Sequence, residues 1–477
     1  MFDGFIRDNA RWTPRAPAVI TPGRIVTYAQ FDAEVDRFGG GLAAMGVGPA
    51  SGVVSISMEH AYHQLLAMCA LARLGVASSP STDPGADLRL SDREPAADGP
   101  PPLSISREWL AQTLSAPARP LPALELDPDA IGRVMLSSGT TRVPKRIGMS
   151  WRRIEIGNFT SLRTYGIGQT STYIPVTGPE SLLGFGACVC AWSVGAAVAI
   201  GLPADQLPRW LEALPSGFAG MTPGHLRQLL DALPPGFTLK PGWRFGVAGA
   251  LLPVPLAREA MARITPDIRI IYGSTECSLL AYGHAGDLEA EPGVVGATPA
   301  GAILEVVDDD GVALPDGESG EFRITTERMT LGYIGDPEAT AERFRDGWFY
   351  TRDVGRRLPD GRLVLEGRAD ERLNLAGGRK FMPQVLETAA FACPGVVDCA
   401  AFAAPEAGRP GGLDQCWLAV VAEPGFDRDA LALHLAGHRS LPPPRFAWID
   451  EIPRNAMGKV ERSKLRDLLL AALSQGE

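Results

Sequence analysis

Between Met135 and Ser150 the sequence reads MLSSGTTRVPKRIGMS, a run of small hydroxyl residues, glycines and cations directly after the apolar approach AIGRVML. Gly139 opens backbone geometries closed to other residues. Ser137, Ser138, Thr140 and Thr141 offer hydroxyl and N–H donors, and Lys145 adds a point charge. Such a loop is chemically suited to cradling phosphate oxygens. Lys145 follows Pro144 and precedes Arg146, so this is not the nucleotide loop in which Gly-Lys-Ser/Thr opens a helix. A solvated loop accounts for the serines and threonines equally well, and the stretch does not decide alone. Other constellations carry less. His60 with His63, and His434 with His438, lack a clear third ligand for a metal, and no Gly-x-Ser-x-Gly elbow supports a hydrolase.

Further stretches follow in a telling order: YGSTE at Tyr272 to Glu276, GWFYTRD at Gly347 to Asp353, GRADERLNLAGGRKFMP at Gly367 to Pro383, and IPRNAMGKVER at Ile452 to Arg462. With SSGTTRVPK, and with an opening helix TYAQFDAEVDRFGGGLAAMGV, they resemble the signatures of the AMP-forming adenylating enzymes, which include acyl-CoA synthetases, peptide-synthetase adenylation domains and luciferases. The resemblance covers nearly the whole chain. It implies an acid-thiol ligase: a small carboxylic acid attacks ATP to give an acyl-adenylate and pyrophosphate, and a thiol of CoA or of an acyl carrier protein's phosphopantetheine then displaces AMP. Under that resemblance Ser137, Ser138, Gly139, Thr140, Thr141 and Lys145 hold the β- and γ-phosphates. Gly273 and Ser274 lie in the second signature, Thr275 touches the α-phosphate, and Glu276 is the Mg²⁺-associated acid, a hard oxygen ligand. Tyr272 flanks adenine alongside Ala248, Gly249 and Ala250. Asp353 takes the ribose hydroxyls, because an ionised carboxylate accepts more than one hydrogen bond, and Arg368 reinforces that grip. The resemblance also implies a body over residues 1–369 and a mobile lid over 370–477, with Asp370 as hinge and Gly377 and Gly378 beside a thiol tunnel. Lys459, on the lid, bridges the acid and the charge developing at phosphorus.

The chain departs from the family pattern where Arg142, Arg146 and Arg352 replace usual glycines. These changes raise an alternative, a catalytically weakened nucleotide-binding relative acting as a regulatory or scaffold protein. The segment YIPVTGPESLLGFG lacks the aspartate that recognises an α-amino group, which argues against an amino-acid substrate.

The elements that must position these residues alternate as in stacked α/β units. Phe31, Val35, Phe38 and Leu42 form one helical face, followed by the strand-like GVVSISM and the helix HAYHQLLAMCALARLG. Residues 80–130 read as a connector holding one short helix near SREWLAQTL. WRFGVAG and IRIIYG read as strands, and after Val294 the character changes to short strands and tight turns: AILEVVDDDG, GEFRITT, GRLVLEGR. A late βαβ-like unit comprises VVDCAAFAAP, QCWLAVVAEP and the helix RDALALHLAGH. The expected fold is therefore α/β, a large body of stacked α/β subdomains plus a β-rich subdomain, with a small α+β lid. At 477 residues the chain has room for roughly three globular units. Its formal charge of −10 argues against a grip along nucleic acid or an anionic membrane, and points to a small ligand. Seven scattered cysteines, with no Cys-x-x-Cys pair among them, read as reduced cytoplasmic thiols. The N-terminus MFDGFIRDNARW carries charges where a signal peptide needs an apolar run. Ser181 to Leu202 is apolar and long enough to span a membrane, but Gly195 is a natural helix stop and the flanks are Glu180 and Asp205, so it reads as a buried helix followed by a short strand.

Overall fold

The computed structural model describes residues 2–93, 100–137, 144–376, 379–405, 414–438, 441–454 and 460–475. Near the N-terminus, Thr27 stops an incoming strand and starts a helix. Its hydroxyl accepts from Gln30 N–H while the Gln30 side chain accepts from Thr27 N–H, a reciprocal cap on Tyr28–Ala44. Phe31, Val35, Phe38 and Leu42 of that helix are buried, as their spacing predicts. The strand Val53–Ser57, the helix Ala61–Arg73 and the strand Ala77–Pro80 then form a parallel βαβ unit.

These strands belong to a six-stranded sheet that ends in the antiparallel hairpin Ile131–Leu136 and Arg146–Ser150, between whose arms the hydroxyl-rich loop hangs. Its other edge corrects the reading of residues 80–130 as a mere connector. Leu88–Ser91 pairs parallel to Val53–Ser57, and Pro102–Ser104 pairs parallel to Leu88–Ser91. Strands of four and three residues carry too few positions to display an alternation. The helix Arg107–Ser115, capped by Ser106, lies where expected.

A second sheet of 14 strands carries the centre of the molecule. Ala197–Ala199, Thr172–Pro175, Gly217–Met221, Trp243–Val247 and Ile268–Ser274 run parallel. From Ser278–His284 onward, through Val294–Ala297, Arg362–Arg368, Trp348–Arg357, Gly320–Thr326 and Ala302–Val307, every pairing is antiparallel. The apolar stretch around Cys188 is the buried helix Leu182–Ser193, broken at Gly195 (φ 74°), and then the strand Ala197–Ala199. No helix among the described residues is long and apolar enough to cross a membrane.

The C-terminal elements have apolar clusters of their own, one around Leu386, Cys399, Leu418 and Leu431, another around Phe402, Trp417, Ile452 and Leu465. The late unit differs in detail from its sequence reading. Val396–Pro405 and Asp414–Ala422 form an antiparallel hairpin, and the βαβ is completed by Arg445–Trp448, parallel to Asp414–Ala422 across the helix Arg428–Ala436.

Arg146, where the family has glycine, has a structural occupation. Its guanidinium makes a two-pronged ion pair with Asp83, at 2.8 and 3.1 Å, and lies so close over Gly85 that a side chain there would strike it. The Asp83 side chain is wholly buried. Restoring the family glycine with Arg146→Gly would strand that carboxylate, which costs about 3 kcal/mol. The expected result is a lower urea midpoint with an unchanged slope; a midpoint equal to that of the unaltered protein would contradict the assignment.

Candidate active site

The loop between Leu136 and Arg146 is closed at its base. Ser137 N–H donates to Lys145 O at 2.9 Å, and Lys145 N–H donates to the Ser137 hydroxyl at 3.0 Å. Ser138, Gly139, Thr140, Thr141 and Arg142 lie outside the described residues. The Lys145 ammonium sits 4.7 Å from the centre of the Tyr333 ring, a cation–π contact. The Tyr333 hydroxyl in turn donates to Glu276 Oε1 at 2.9 Å. Lys145 and Glu276, far apart in sequence, are thus joined through one aromatic ring.

Glu276 and Thr275 stand on the turn where the large sheet changes from parallel to antiparallel. Ser274 pairs with Ser278 across this turn. Its hydroxyl accepts from Cys277 N–H at 3.2 Å, and Ser278 adopts φ 62°, a left-handed conformation costing about 1–2 kcal/mol for a non-glycine residue. Gly273 has no alternative: a Cβ there would lie 2.5 Å from Ser278 O. Glu276 is buried. Its carbonyl accepts from Thr330 N–H at 2.8 Å, and among the described residues nothing donates to its second carboxylate oxygen.

Tyr272, one strand position before Gly273, reaches across the sheet. Its hydroxyl donates to Asp353 Oδ2 at 2.5 Å, although three strands separate theirs in the hydrogen-bonded order, so the sheet curls. Burial first, and then the facing Asp353 charge, push the Tyr272 hydroxyl well above its ordinary range and keep it a donor. Asp353 and Arg368 are register partners on adjacent strands. Arg368 donates to Asp353 Oδ1 at 3.0 Å and to both oxygens of Asp370 at 3.0 and 3.2 Å. Burial opposes the Asp370 charge, but the Arg368 hydrogen bonds and cation outweigh it and hold the carboxyl below the usual range. Ala248, Gly249 and Ala250 follow the parallel strand Trp243–Val247, at the same carboxyl end of the strands as Thr275. Ala248 N–H is tied to Met221 O at 2.9 Å, and Gly249 has φ 92°. The carboxyl edge of parallel strands is where α/β sheets place ligands.

Arg352 lies within the strand Trp348–Arg357 at YTRD, with φ 60°, the left-handed conformation that suits the family's glycine. Its N–H is held by Glu321 at 2.7 Å and its guanidinium by Glu342. Sequence reasoning missed Tyr333 and, behind the Thr275–Glu276 turn, Arg153. Neither stands in a motif of ionisable or nucleophilic residues, and only the folded chain brings them to Glu276. Lys459, Gly377 and Gly378 lie outside the described residues. No group of three or more His, Cys, Asp and Glu side chains capable of holding a metal occurs among the described residues.

A family model described as AMP-binding enzyme matches residues 6–96 and 87–334. Among curated relatives, a fatty acid–[acyl-carrier-protein] ligase of Streptomyces coeruleorubidus is 26% identical over 531 residues, covering 96% of this chain and 94% of the relative. A sulfoacetate–CoA ligase of Cupriavidus necator is 27% identical over 496 residues, covering 96% and 95%. Among solved structures, ATP-bound MatB from Rhodopseudomonas palustris superimposes with a TM-score of 0.84 at 21% identity, over 99% of this chain and 100% of that one. The o-succinylbenzoate CoA synthetase of Bacillus subtilis, solved with ATP and a magnesium ion, gives 0.81 at 20% identity over 97% and 99%. With its motifs, its fold and more than half its length matched, this chain belongs to the AMP-binding enzyme family, the AMP-forming adenylating enzymes.

Proposed function

We propose that this chain uses ATP to convert a small carboxylic acid to its acyl-adenylate, with release of pyrophosphate, and then passes the acyl group to a thiol. The acceptor is CoA or the phosphopantetheine arm of an acyl carrier protein, in the cytoplasm. The observation that carries this reading is the convergence of two sets of side chains around the Tyr272–Glu276 stretch: Tyr272, Asp353 and Arg368 on one side, Lys145, Tyr333 and Glu276 on the other.

The first set suits a ribose. Asp353 would accept from the sugar hydroxyls, an ionised carboxylate being able to take more than one hydrogen bond on each oxygen, with Tyr272 and Arg368 fixing its orientation through one oxygen each. Tyr272 and the Ala248–Ala250 segment would flank the adenine, the open conformation of Gly249 permitting close approach. The second set suits polyphosphate. Lys145 and the loop from Ser137 would hold the β- and γ-phosphates, and Thr275 the α-phosphate. Glu276 Oε2, with no donor among the described residues, fits a hard cation. Mg²⁺ held there would offset the charge of the polyphosphate.

In the first half-reaction a carboxylate oxygen of the acid bonds to the α-phosphorus and the bond to pyrophosphate breaks. In the second, the thiol sulfur bonds to the acyl carbon, AMP leaves with the electrons of the acyl C–O bond, and the thiol proton passes to solvent. Lys459 would steady the acid and the phosphoryl charge in the first step from a lid over 370–477, pivoting at Asp370 against a body over 1–369, with Gly377 and Gly378 lining the thiol path in the second. The separate apolar clusters of the C-terminal elements support such a division. The alternative, a weakened regulatory relative, rests on the arginine replacements. Arg146 and Arg352 are occupied by Asp83 and Glu342, so neither favours it.

A panel of carboxylic acids screened for pyrophosphate release, with and without CoA, tests the reading; silence across a broad panel would overturn it. With an active acid, Lys459→Ala should slow adenylate formation at least about a hundredfold while sparing thioester formation from supplied acyl-adenylate. An equal fall in both half-reactions would remove Lys459 from the first step.

A further inference from the structure

Arg153 opens the helix Trp151–Tyr165, whose start is fixed by the Ser150 hydroxyl accepting from Arg153 N–H. Its side chain is buried, yet among the described residues it meets no carboxylate. Its partners are all backbone carbonyls. Nη2 donates to Thr275 O and to Glu276 O, both at 2.7 Å, Nη1 to Gly148 O at 3.3 Å, and Nε to Arg328 O. Gly148 lies on the strand leaving the phosphate loop, Thr275 and Glu276 form the turn, and Arg328 begins the segment that leads to Tyr333. Thr330 reinforces the same frame, its hydroxyl donating to Gly148 O at 3.0 Å and its N–H to Glu276 O.

Burying a guanidinium without a carboxylate ion-paired to it is costly. Burial pushes the Arg153 group down to about 10, which leaves it a cation at neutral pH. A neutral amide would avoid that cost but could not serve this many acceptors. What arginine supplies is a rigid, planar fork whose donors reach three chain segments at once. We propose that Arg153 is a positioning residue for the metal and phosphate chemistry. By fixing the Thr275–Glu276 backbone against the strand Arg146–Ser150, it sets the span between the Glu276 carboxylate and Lys145. The inference rests on the reading of Glu276 as the metal-associated acid. Displacement of such a frame by about 1 Å is enough to cost a hundredfold in a reaction that depends on alignment.

The test is calorimetric and needs no knowledge of the acid. The full chain is titrated with α,β-methylene-ATP in Mg²⁺ and again in EDTA, and the ratio of the two dissociation constants measures metal preference. The unaltered protein should prefer the metal complex about tenfold or more, and Glu276→Gln should remove most of that preference. Arg153→Lys keeps the charge and loses the fork. It should bring the ratio to within about threefold of Glu276→Gln while the metal-free affinity stays within about twofold of the unaltered protein. The double variant should fall no further, as for residues acting through one group. A role confined to stability would weaken both forms of the nucleotide alike and leave the ratio unchanged, overturning the proposal, as would additive losses in the double variant. An unaltered protein with no metal preference would overturn the reading of Glu276 and the proposal with it. If circular dichroism finds Arg153→Lys unfolded, Thr330→Val, which removes one donor from Gly148 O, should lower the ratio about threefold; no change would again overturn the proposal.

Discussion

A tight turn that ends a parallel run of strands presents carbonyls that no neighbouring strand can satisfy, and a buried carbonyl without a donor costs free energy comparable to a lost hydrogen bond. At Thr275 and Glu276 those donors are the Arg153 guanidinium and Thr330 N–H. The arrangement of the rest of the site follows from meeting this need. Arg153 reaches the turn because its helix begins directly after the strand Arg146–Ser150, and that strand is the outgoing arm of the hairpin it forms with Ile131–Leu136. Thr330 reaches it because the segment from Arg328 to Ile334 is laid along the same strand, with Ile147 bridging Tyr333 and Ile334 N–H bonded to Arg146 O at 2.8 Å. Tyr333 is thereby set between Lys145 and Glu276.

The group of Tyr272, Asp353 and Arg368 obeys a different constraint. Tyr272 and Asp353 meet only because the large sheet curls after its change of strand direction, and the curl is made by the antiparallel strands on that side. Arg368 then serves two carboxylates, Asp353 in the sheet and Asp370 beyond its end. Asp353 and Asp370 are thereby joined in one hydrogen-bond network through Arg368.

Much of this was legible in the sequence where the signal is local. The 3.6-residue spacing of Phe31, Val35, Phe38 and Leu42 marked a buried helical face, Gly195 marked a helix end, and the motif residues Tyr272, Asp353 and Arg368 stand in hydrogen-bond contact. The remainder depends on contacts between segments distant in the chain. Arg153 and Tyr333 were missed because a buried arginine facing carbonyls and a tyrosine among small residues look ordinary until Glu276 is beside them. Leu88–Ser91, Pro102–Ser104 and Arg445–Trp448 were missed because strands this short acquire their identity from the neighbour they pair with. The arginine replacements read as departures because sequence shows the lost glycine and not Asp83, nor the left-handed strand residue Arg352 that Glu321 and Glu342 hold.

The central claim is that an acid oxygen becomes bonded to the α-phosphorus of ATP. It is tested most directly by supplying an active acid labelled with oxygen-18 in its carboxylate and examining the products by phosphorus NMR. Attack at the α-phosphorus followed by thiol attack at the acyl carbon leaves the bridging oxygen on phosphorus, so AMP should carry one labelled oxygen and pyrophosphate none. Label in inorganic phosphate or pyrophosphate, or AMP formed without label, would contradict it.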